Sequence, residues 1–167
     1  MANREEFTDC YSILRGRGLK GVKLKEDLFL TEILEQPHAL RSVLRYWEGE
    51  AIQAKLRERL GEWSPPLVIF TGMGSSLNAC YPAAAFLNDH GLAAVAIESA
   101  ELLHYYLALR AGSNLLVVVS QSGESIEPVR LMEELEPPAF VITLTNGLQN
   151  TIARKSQLPL DMCAGPS

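Results

Sequence analysis

The chain has 167 residues, of which 47% are hydrophobic and 21% are charged, and its formal net charge is −5 at pH 7. This length and composition predict one soluble globular domain of ordinary size. The acidic balance argues against nucleic acid as a partner, because proteins that bind it normally carry a basic surface. No apolar run approaches the ~18 residues that cross a bilayer, and the polar start of the chain is unlike a signal peptide. We therefore expect a cytoplasmic protein with no nucleic-acid or membrane partner.

The cysteines and histidines predict no metal site and no other cofactor. Three widely spaced cysteines form no CxxC pair and are interpreted as reduced thiols, with the second in the core: Cys10, Cys80 and Cys163. No histidine lies at metal-ligand spacing from a cysteine or carboxylate. The histidines are predicted on a helix surface, in a turn and within a helix, respectively: His38, His90 and His104.

The segment before Trp63-Ser64-Pro65-Pro66 is charged and has a helical pattern of apolar residues. One apolar stripe follows the spacing i, i+3, i+4, i+7: Leu40, Val43, Leu44 and Trp47. Pro37 fits the first turn of this helix, so residues 28–35 are predicted to form a separate short helix. The first 25 residues are expected to be a mobile arm. We divide the chain into an arm with helices that pack on the domain (1–65) and the domain itself (66–167).

After residue 66 the pattern alternates between strand and helix. Short apolar runs predict five strands: 67–71, 92–97, 115–119, 139–144 and 158–162. The segments between them predict four helices: one ending near 88, 99 to about 110 with Ser99 as its N-cap, 125–136, and a short one through 152. Strict alternation implies a parallel sheet with helices on both faces. The predicted fold is therefore α/β, a doubly wound five-stranded parallel sheet of flavodoxin-like order with N-terminal helices.

Two loops rich in serine and glycine follow the first and third strands. The loop after the third strand reads Ser120-Gln121-Ser122-Gly123-Glu124-Ser125, and the loop after the first reads Gly72-Met73-Gly74-Ser75-Ser76. Backbone N–H groups at a helix start, together with neutral hydroxyls, can hold a phosphate without a basic side chain. With strand order 2-1-3-4-5, ligands bind between the carboxyl ends of strands one and three. Both polar loops are predicted to lie at that point.

Other kinds of site fit the same loops less well. Gly72-x-Gly74 begins a dinucleotide fingerprint, and Glu98 could accept a hydrogen bond from a ribose, but Leu77 occupies the third glycine position. A nucleotide-binding, Rossmann-like domain therefore stays as a minor alternative. No Gly-Lys-Ser/Thr and no GxSxG occurs at either loop, which excludes a P-loop and a serine-hydrolase elbow. Glu124 would oppose a phosphate unless its side chain points away.

The two loops together resemble those of the sugar isomerase (SIS) domain family. The chain is most similar to the first of the two such domains in the isomerase half of glutamine–fructose-6-phosphate aminotransferases. Three further segments support this resemblance: LTEILEQP at 30–37, NTIAR at 150–154 and AGP at 164–166. The family has EI-EQP, S-S-I-A-R and AGP there, so the resemblance covers residue 27 to the end. Ser167 departs from it, because a Glu usually follows Gly-Pro.

The resemblance implies a hexose phosphate ligand of the fructose 6-phosphate or glucosamine 6-phosphate class. The phosphate ligands that it implies are Ser76, Ser120, Gln121, Ser122 and Ser125. The sugar would meet Ser75 and Gly74. Ser125 and Ser75 each replace a commoner Thr and keep its hydroxyl.

The family also implies an aldose–ketose isomerase that acts on sugar phosphates. Such a reaction needs a base close to the C1 or C2 proton of the sugar. The Glu, His and Lys that the two-domain isomerases use come from segments after this domain, so the base is left to Glu124 or another subunit. We expect this chain to bind a phosphosugar without turning it over alone. A non-catalytic, phosphosugar-sensing module is the alternative, and a homodimer or a second SIS domain is the expected partner.

Overall fold

A sheet of five parallel strands, surrounded by helices, forms the core of this computed structural model. The structure describes residues 28–61, 63–110, 112–135 and 140–165. The predicted arm, Cys10, the Pro137-Pro138 break and Ser167 lie outside the described residues. The chain divides into compact units at residues 1–36 and 37–167, and every contact discussed below lies within the second. The predicted domain boundary at residues 65 and 66 stays a prediction.

The strands occur in the predicted order. They are β1 (Val68–Gly72), β2 (Ala94–Glu98), β3 (Leu115–Val119), β4 (Phe140–Thr145) and β5 (Leu158–Asp161). Their order in the sheet is β2-β1-β3-β4-β5, and every pair is parallel. Every residue of β1 and β3 is buried, because helices cover both faces of the sheet. The α/β, doubly wound prediction is confirmed.

Seven helices are described. They are α1 (Leu28–Glu48), α2 (Glu50–Leu60), α3 (Ser75–Asp89), α4 (Ser99–His104), α5 (Leu107–Arg110), α6 (Ile126–Glu134) and α7 (Thr151–Lys155). None of the helices in the described ranges is both long and apolar enough to span a membrane.

Alternate residues of the strands supply two apolar cores, one on each face of the sheet. On one face, Phe70 and Val117 pack with α3, including the fully buried Cys80. On the other face, Ile69 and Val118 pack with side chains of α4 and α6. The burial of Cys80 confirms its predicted core position and raises the pKa of its thiol to about 11.

The two edges of the sheet differ. The edge strand β5 contains Pro159, which lies opposite Thr143 of β4. The other edge strand is β2, where Val95 is partly exposed to solvent.

The prediction of a helix break before Pro37 is wrong. A single helix, α1, runs from Leu28 to Glu48 with Pro37 inside it. Proline lacks only one backbone donor, and a helix that is otherwise well supported can lose that hydrogen bond and continue. Ile33, Leu40 and Leu44 keep a helical spacing across the proline, so the apolar pattern predicts the helix better than the single residue does.

The single helix predicted from residue 99 to about 110 is also wrong. The structure has two helices, α4 and α5, with Tyr105 and Tyr106 between them, and His104 is the last residue of α4. Adjacent aromatic residues have low helix propensity. Tyr105 is 80% exposed, so packing does not compensate for that low propensity.

Ser99 is not the N-cap that the sequence predicts. Glu98 is the N-cap of α4, and Ser99 is its buried first residue. The Ser99 hydroxyl forms a hydrogen bond of 3.0 Å with the Thr71 hydroxyl of β1. Ser99 therefore joins the helix to the sheet instead of capping the helix.

Candidate functional site

The two polar loops leave the sheet from paired positions. Gly72, the last residue of β1, lies opposite Val119, the last residue of β3. The residues that follow, Met73 and Ser120, therefore begin their loops side by side at the carboxyl edge of the sheet. We call residues 73–76 the β1 loop and residues 120–125 the β3 loop.

The β1 loop turns directly into α3. Gly74 is the N-cap of α3, and its φ of +52° favours glycine. Ser75 is exposed and Ser76 is half-buried in the first turn. Neither serine hydroxyl forms a hydrogen bond within the part of the chain that the structure describes. Both hydroxyls are therefore available to a ligand.

The β3 loop is folded around Ser120. Ser120 is only 3% exposed, and its Oγ accepts a hydrogen bond of 3.2 Å from the Gly123 N–H. The same Oγ lies 3.3 Å from the hydroxyl of Ser125. The Ser122 Oγ accepts from the Glu124 N–H at 3.2 Å. The Gln121 and Ser122 side chains are exposed, and the proton of the Ser122 hydroxyl remains free to donate.

Ser125 is the N-cap of α6, but its side chain does not cap the helix. Its backbone is extended, with φ −61° and ψ 137°. The first backbone N–H groups of an α-helix have no intrahelical partner. The start of α6 therefore offers N–H donors beside the serine hydroxyls, which is an arrangement suited to an anion.

The Glu124 side chain points toward α7, where its carboxylate accepts two hydrogen bonds. Its Oε1 accepts from the Thr151 N–H, and its Oε2 accepts from the Thr151 hydroxyl, both at 2.8 Å. These hydrogen bonds, with a smaller contribution from Arg154, lower the pKa of the carboxyl group. The predicted conflict between Glu124 and a phosphate is therefore reduced, because the carboxylate is engaged elsewhere.

The loop between β4 and α7 supports the β3 loop from behind. The Asn150 amide caps α7 by accepting from the Ala153 N–H, and it donates to Thr145 Oγ1 at 2.7 Å. A Cβ on Gly123, whose φ is +67°, would overlap this amide. Sequence reasoning missed the contribution of Asn150 to the loop. Its place as an Asn immediately before a short helix was the available signal.

The structure brings all seven predicted site residues to one edge of the sheet. Glu98 at the end of β2 joins them, because it lies opposite Gly72 in the sheet register. The two loops contain no basic residue. Within the described residues, no group of His, Cys, Asp and Glu is arranged to hold a metal ion.

Cavities are also found outside the two loops, in the part of the chain that the structure describes. A cavity of about 490 Å³ opens near the carboxyl ends of β4 and β5, lined by Asn146, Gly147, Asp161, Cys163 and Gly165. It adjoins the β3 loop, because the Asn146 N–H donates to the Gln121 carbonyl. An apolar cavity of about 280 Å³ lies toward the other end of the strands, beside Trp63 and Val68. Of these two cavities, the first is placed to extend the candidate site.

Comparison with known proteins identifies a family for the part of the chain that contains the two loops. Residues 64–167 match the model of the SIS domain. The chain is 29% identical over 143 residues to the glutamine–fructose-6-phosphate aminotransferase [isomerizing] of Pyrococcus horikoshii, which covers 84% of this chain and 23% of that protein. The chain thus spans less than a quarter of the length of that curated relative.

Solved structures share the fold. The C-terminal domain of the glucosamine-fructose-6-phosphate aminotransferase from Francisella tularensis superposes with a TM-score of 0.72 at 18% identity, over 86% of this chain and 41% of that one. A protein of E. coli CFT073, solved in complex with a phosphosugar, superposes with a TM-score of 0.68 at 20% identity, over 81% of this chain and 71% of that one. The family match covers more than half of the sequence and includes both loops. The chain belongs to the SIS domain family.

Proposed function

We propose that the protein binds a phosphosugar at the carboxyl edge of β1 and β3. The observation that carries this proposal is the pairing of Gly72 with Val119, because it brings two serine-rich loops and two helix starts to one point. The phosphosugar complex of the structural neighbour from E. coli supports this class of ligand. The curated relative is named for fructose 6-phosphate, which favours hexose phosphates of the fructose 6-phosphate or glucosamine 6-phosphate class.

The phosphate would be held by neutral groups. We assign it to the hydroxyls of Ser76, Ser122 and Ser125, the amide of Gln121 and the first N–H groups of α6. Ser120 would act from below, because its buried Oγ orients both Gly123 and Ser125. Ser75 and Gly74, on the exposed side of the β1 loop, are assigned to the sugar.

We further propose that this module belongs to an aldose–ketose isomerase of the kind found in glucosamine-6-phosphate synthases. Isomerisation requires a base within hydrogen-bond reach of the reacting proton. Glu124 is a poor candidate, because both of its carboxylate oxygens accept hydrogen bonds from Thr151. The base would therefore come from another subunit or a second SIS domain.

A phosphosugar-sensing module without chemistry is the second candidate. The observation that favours it is the composition of the two described loops, in which Glu124 is the one ionisable side chain. A coupled assay that detects conversion of fructose 6-phosphate to glucose 6-phosphate tests the sensing role. Turnover by the purified chain would exclude the sensing role.

A second copy of the chain, or another SIS domain, is the proposed partner of α1. Leu40 and Leu44 are 63% and 57% exposed on this helix, on the same stripe as Trp47. Sedimentation should show a dimer for the natural chain and a monomer for Leu44→Glu. A monomeric natural chain would rule out the homodimer.

Thermal unfolding with added ligands tests the proposed site. Fructose 6-phosphate and glucosamine 6-phosphate should each stabilise the protein by about 2.7 kcal/mol at ~100 times Kd. Inorganic phosphate should act more weakly and unphosphorylated fructose not at all. Ser122→Ala should lose the effect. Ser113→Ala, an exposed serine before β3, is the matched control and should keep it. The absence of stabilisation by either hexose phosphate would contradict the proposal.

A further inference from the structure

We propose that Glu124 is a positioning residue, which ties the β3 loop to the first turn of α7 and so holds the loop in its anion-binding shape. This inference rests on the proposed function and gives the site a residue that contributes to affinity without touching the ligand.

The geometry of the Glu124 carboxylate is that of a tie between two segments. Both of its oxygens accept hydrogen bonds from a single residue, Thr151, at 2.8 Å each. Two hydrogen bonds to one residue fix both the distance and the orientation of the side chain. Thr151 is the first residue of α7 and lies 27 positions further along the chain. The contact therefore joins two separate loops.

Two backbone hydrogen bonds connect the same two segments of the chain. The Ile152 N–H donates to the Gly123 carbonyl at 3.3 Å, and the Asn146 N–H donates to the Gln121 carbonyl at 2.9 Å. They hold the β3 loop at its second and fourth residues, and Glu124 holds the fifth. Ser125, whose hydroxyl is assigned to the phosphate, follows directly. A shift of Glu124 would therefore move Ser125 and the start of α6.

The solvent exposure of Glu124 indicates whether the tie contributes to stability or to ligand affinity. The Glu124 side chain is exposed, so water competes for its hydrogen bonds, and its contribution to global stability is expected to be small. A loop that is already ordered before binding does not lose that freedom when the ligand arrives. The effect of Glu124 should therefore appear in ligand affinity more than in the free energy of unfolding.

The role of Glu124 is tested by measuring the Kd for fructose 6-phosphate in four variants by calorimetric titration. Glu124→Ala and Thr151→Val should each raise Kd roughly 3- to 10-fold, as expected for lost hydrogen bonds. Thr151→Ser keeps the hydroxyl and should bind like the natural chain. Combining Glu124→Ala with Thr151→Val should be no worse than Glu124→Ala alone, because Glu124→Ala already removes both hydrogen bonds and Thr151→Val removes only the one from the hydroxyl. Natural affinity in Glu124→Ala would overturn the proposal.

The control is Glu101→Ala, which removes an exposed glutamate of α4 outside the two loops. It should leave Kd unchanged. If Glu101→Ala raised Kd as much as Glu124→Ala does, the effect would come from net charge, and the proposed role of Glu124 would be overturned.

Amide hydrogen exchange in the free protein separates this inference from the proposed function. The Thr151 N–H should be protected in the natural chain and exchange faster in Glu124→Ala. If no sugar phosphate binds the natural chain, the proposed function fails, and the exchange rate still decides whether the tie exists. An equal Thr151 exchange rate in both proteins would overturn it.

Discussion

Gly72 of β1 stands opposite Val119 of β3, and a Cβ on Gly72 would lie 2.8 Å from the Val119 carbonyl oxygen. The same atom would lie 3.0 Å from the Cβ of Ser76. The absence of a side chain at Gly72 thus allows the start of α3 to approach both strands. The strand pairing brings the two loops together, and glycine at this position permits their close approach.

Gly72→Ala should therefore disturb both the fold and the site. We expect a loss of about 1–3 kcal/mol in the free energy of unfolding, as for other overpacked positions. Fructose 6-phosphate should no longer raise the melting temperature, because Ser76 is displaced. Urea unfolding and the thermal titration measure the two effects.

Ile69→Val serves as the control for that experiment. Ile69 is fully buried in the same strand, away from the loops, and its truncation should cost about 0.5–1.5 kcal/mol. It should keep its affinity for the sugar phosphate. If Gly72→Ala also keeps it, the close approach at Gly72 is not needed for binding.

Gly123→Ala should destabilise the protein through backbone strain and through a steric overlap, and a second variant separates the two effects. Its φ of +67° costs an L-residue about 1–2 kcal/mol, and the new methyl group would also overlap the Asn150 amide. Gly147→Ala has a similar φ of +80° but open space around its Cβ, so it should show the backbone cost alone. Urea unfolding of the two variants measures the difference, and equal losses would show that Asn150 moves aside freely.

The buried pair Thr71 and Ser99 should behave as a unit. Ser99→Ala leaves the Thr71 hydroxyl buried without its 3.0 Å partner, which should cost about 1–3 kcal/mol. Thr71→Val should cost a similar amount. The double variant should lose less than the sum, because neither group is left unpaired. Strict additivity in urea unfolding would mean that the pair contributes nothing as a pair.

Glu124 should make a pH-dependent contribution to stability. Because the hydrogen bonds from Thr151 lower its pKa in the folded state, the contribution is present above its ordinary pKa of 4.5 and is lost as the pH falls through the lower, folded value. The melting temperatures of the natural chain and of Glu124→Ala should therefore differ by a constant amount from pH 7 to 5.5. Below pH 4.5 the two should converge. A difference that does not shrink as the pH falls below 4.5 would contradict this assignment.

Local patterns in the sequence were sufficient to predict the fold. The five apolar residues of β3 have no alternation, which is typical of a strand covered on both faces, and the alternation of strands with helices predicted the parallel order. The meeting of the two serine-rich loops was also predicted, because the topology brings the carboxyl ends of β1 and β3 side by side.

Long-range contacts explain what the sequence could not predict. Ser99 has the residue type of an N-cap, but its hydroxyl is taken by Thr71, which lies 28 residues earlier. The sequence allows Glu124 as a base, and only the fold shows that Thr151 engages it. No local pattern contains these pairs, since each joins residues brought together by the sheet.

Pro159 in β5 has a further consequence for how the sheet behaves beyond a single molecule. An edge strand offers unpaired backbone groups on which a foreign strand can assemble, and a proline removes one of the donors it would use. β2, at the opposite edge, contains no proline and exposes 36% of Val95. We therefore expect strand addition in a partly unfolded state to occur at β2 rather than at β5.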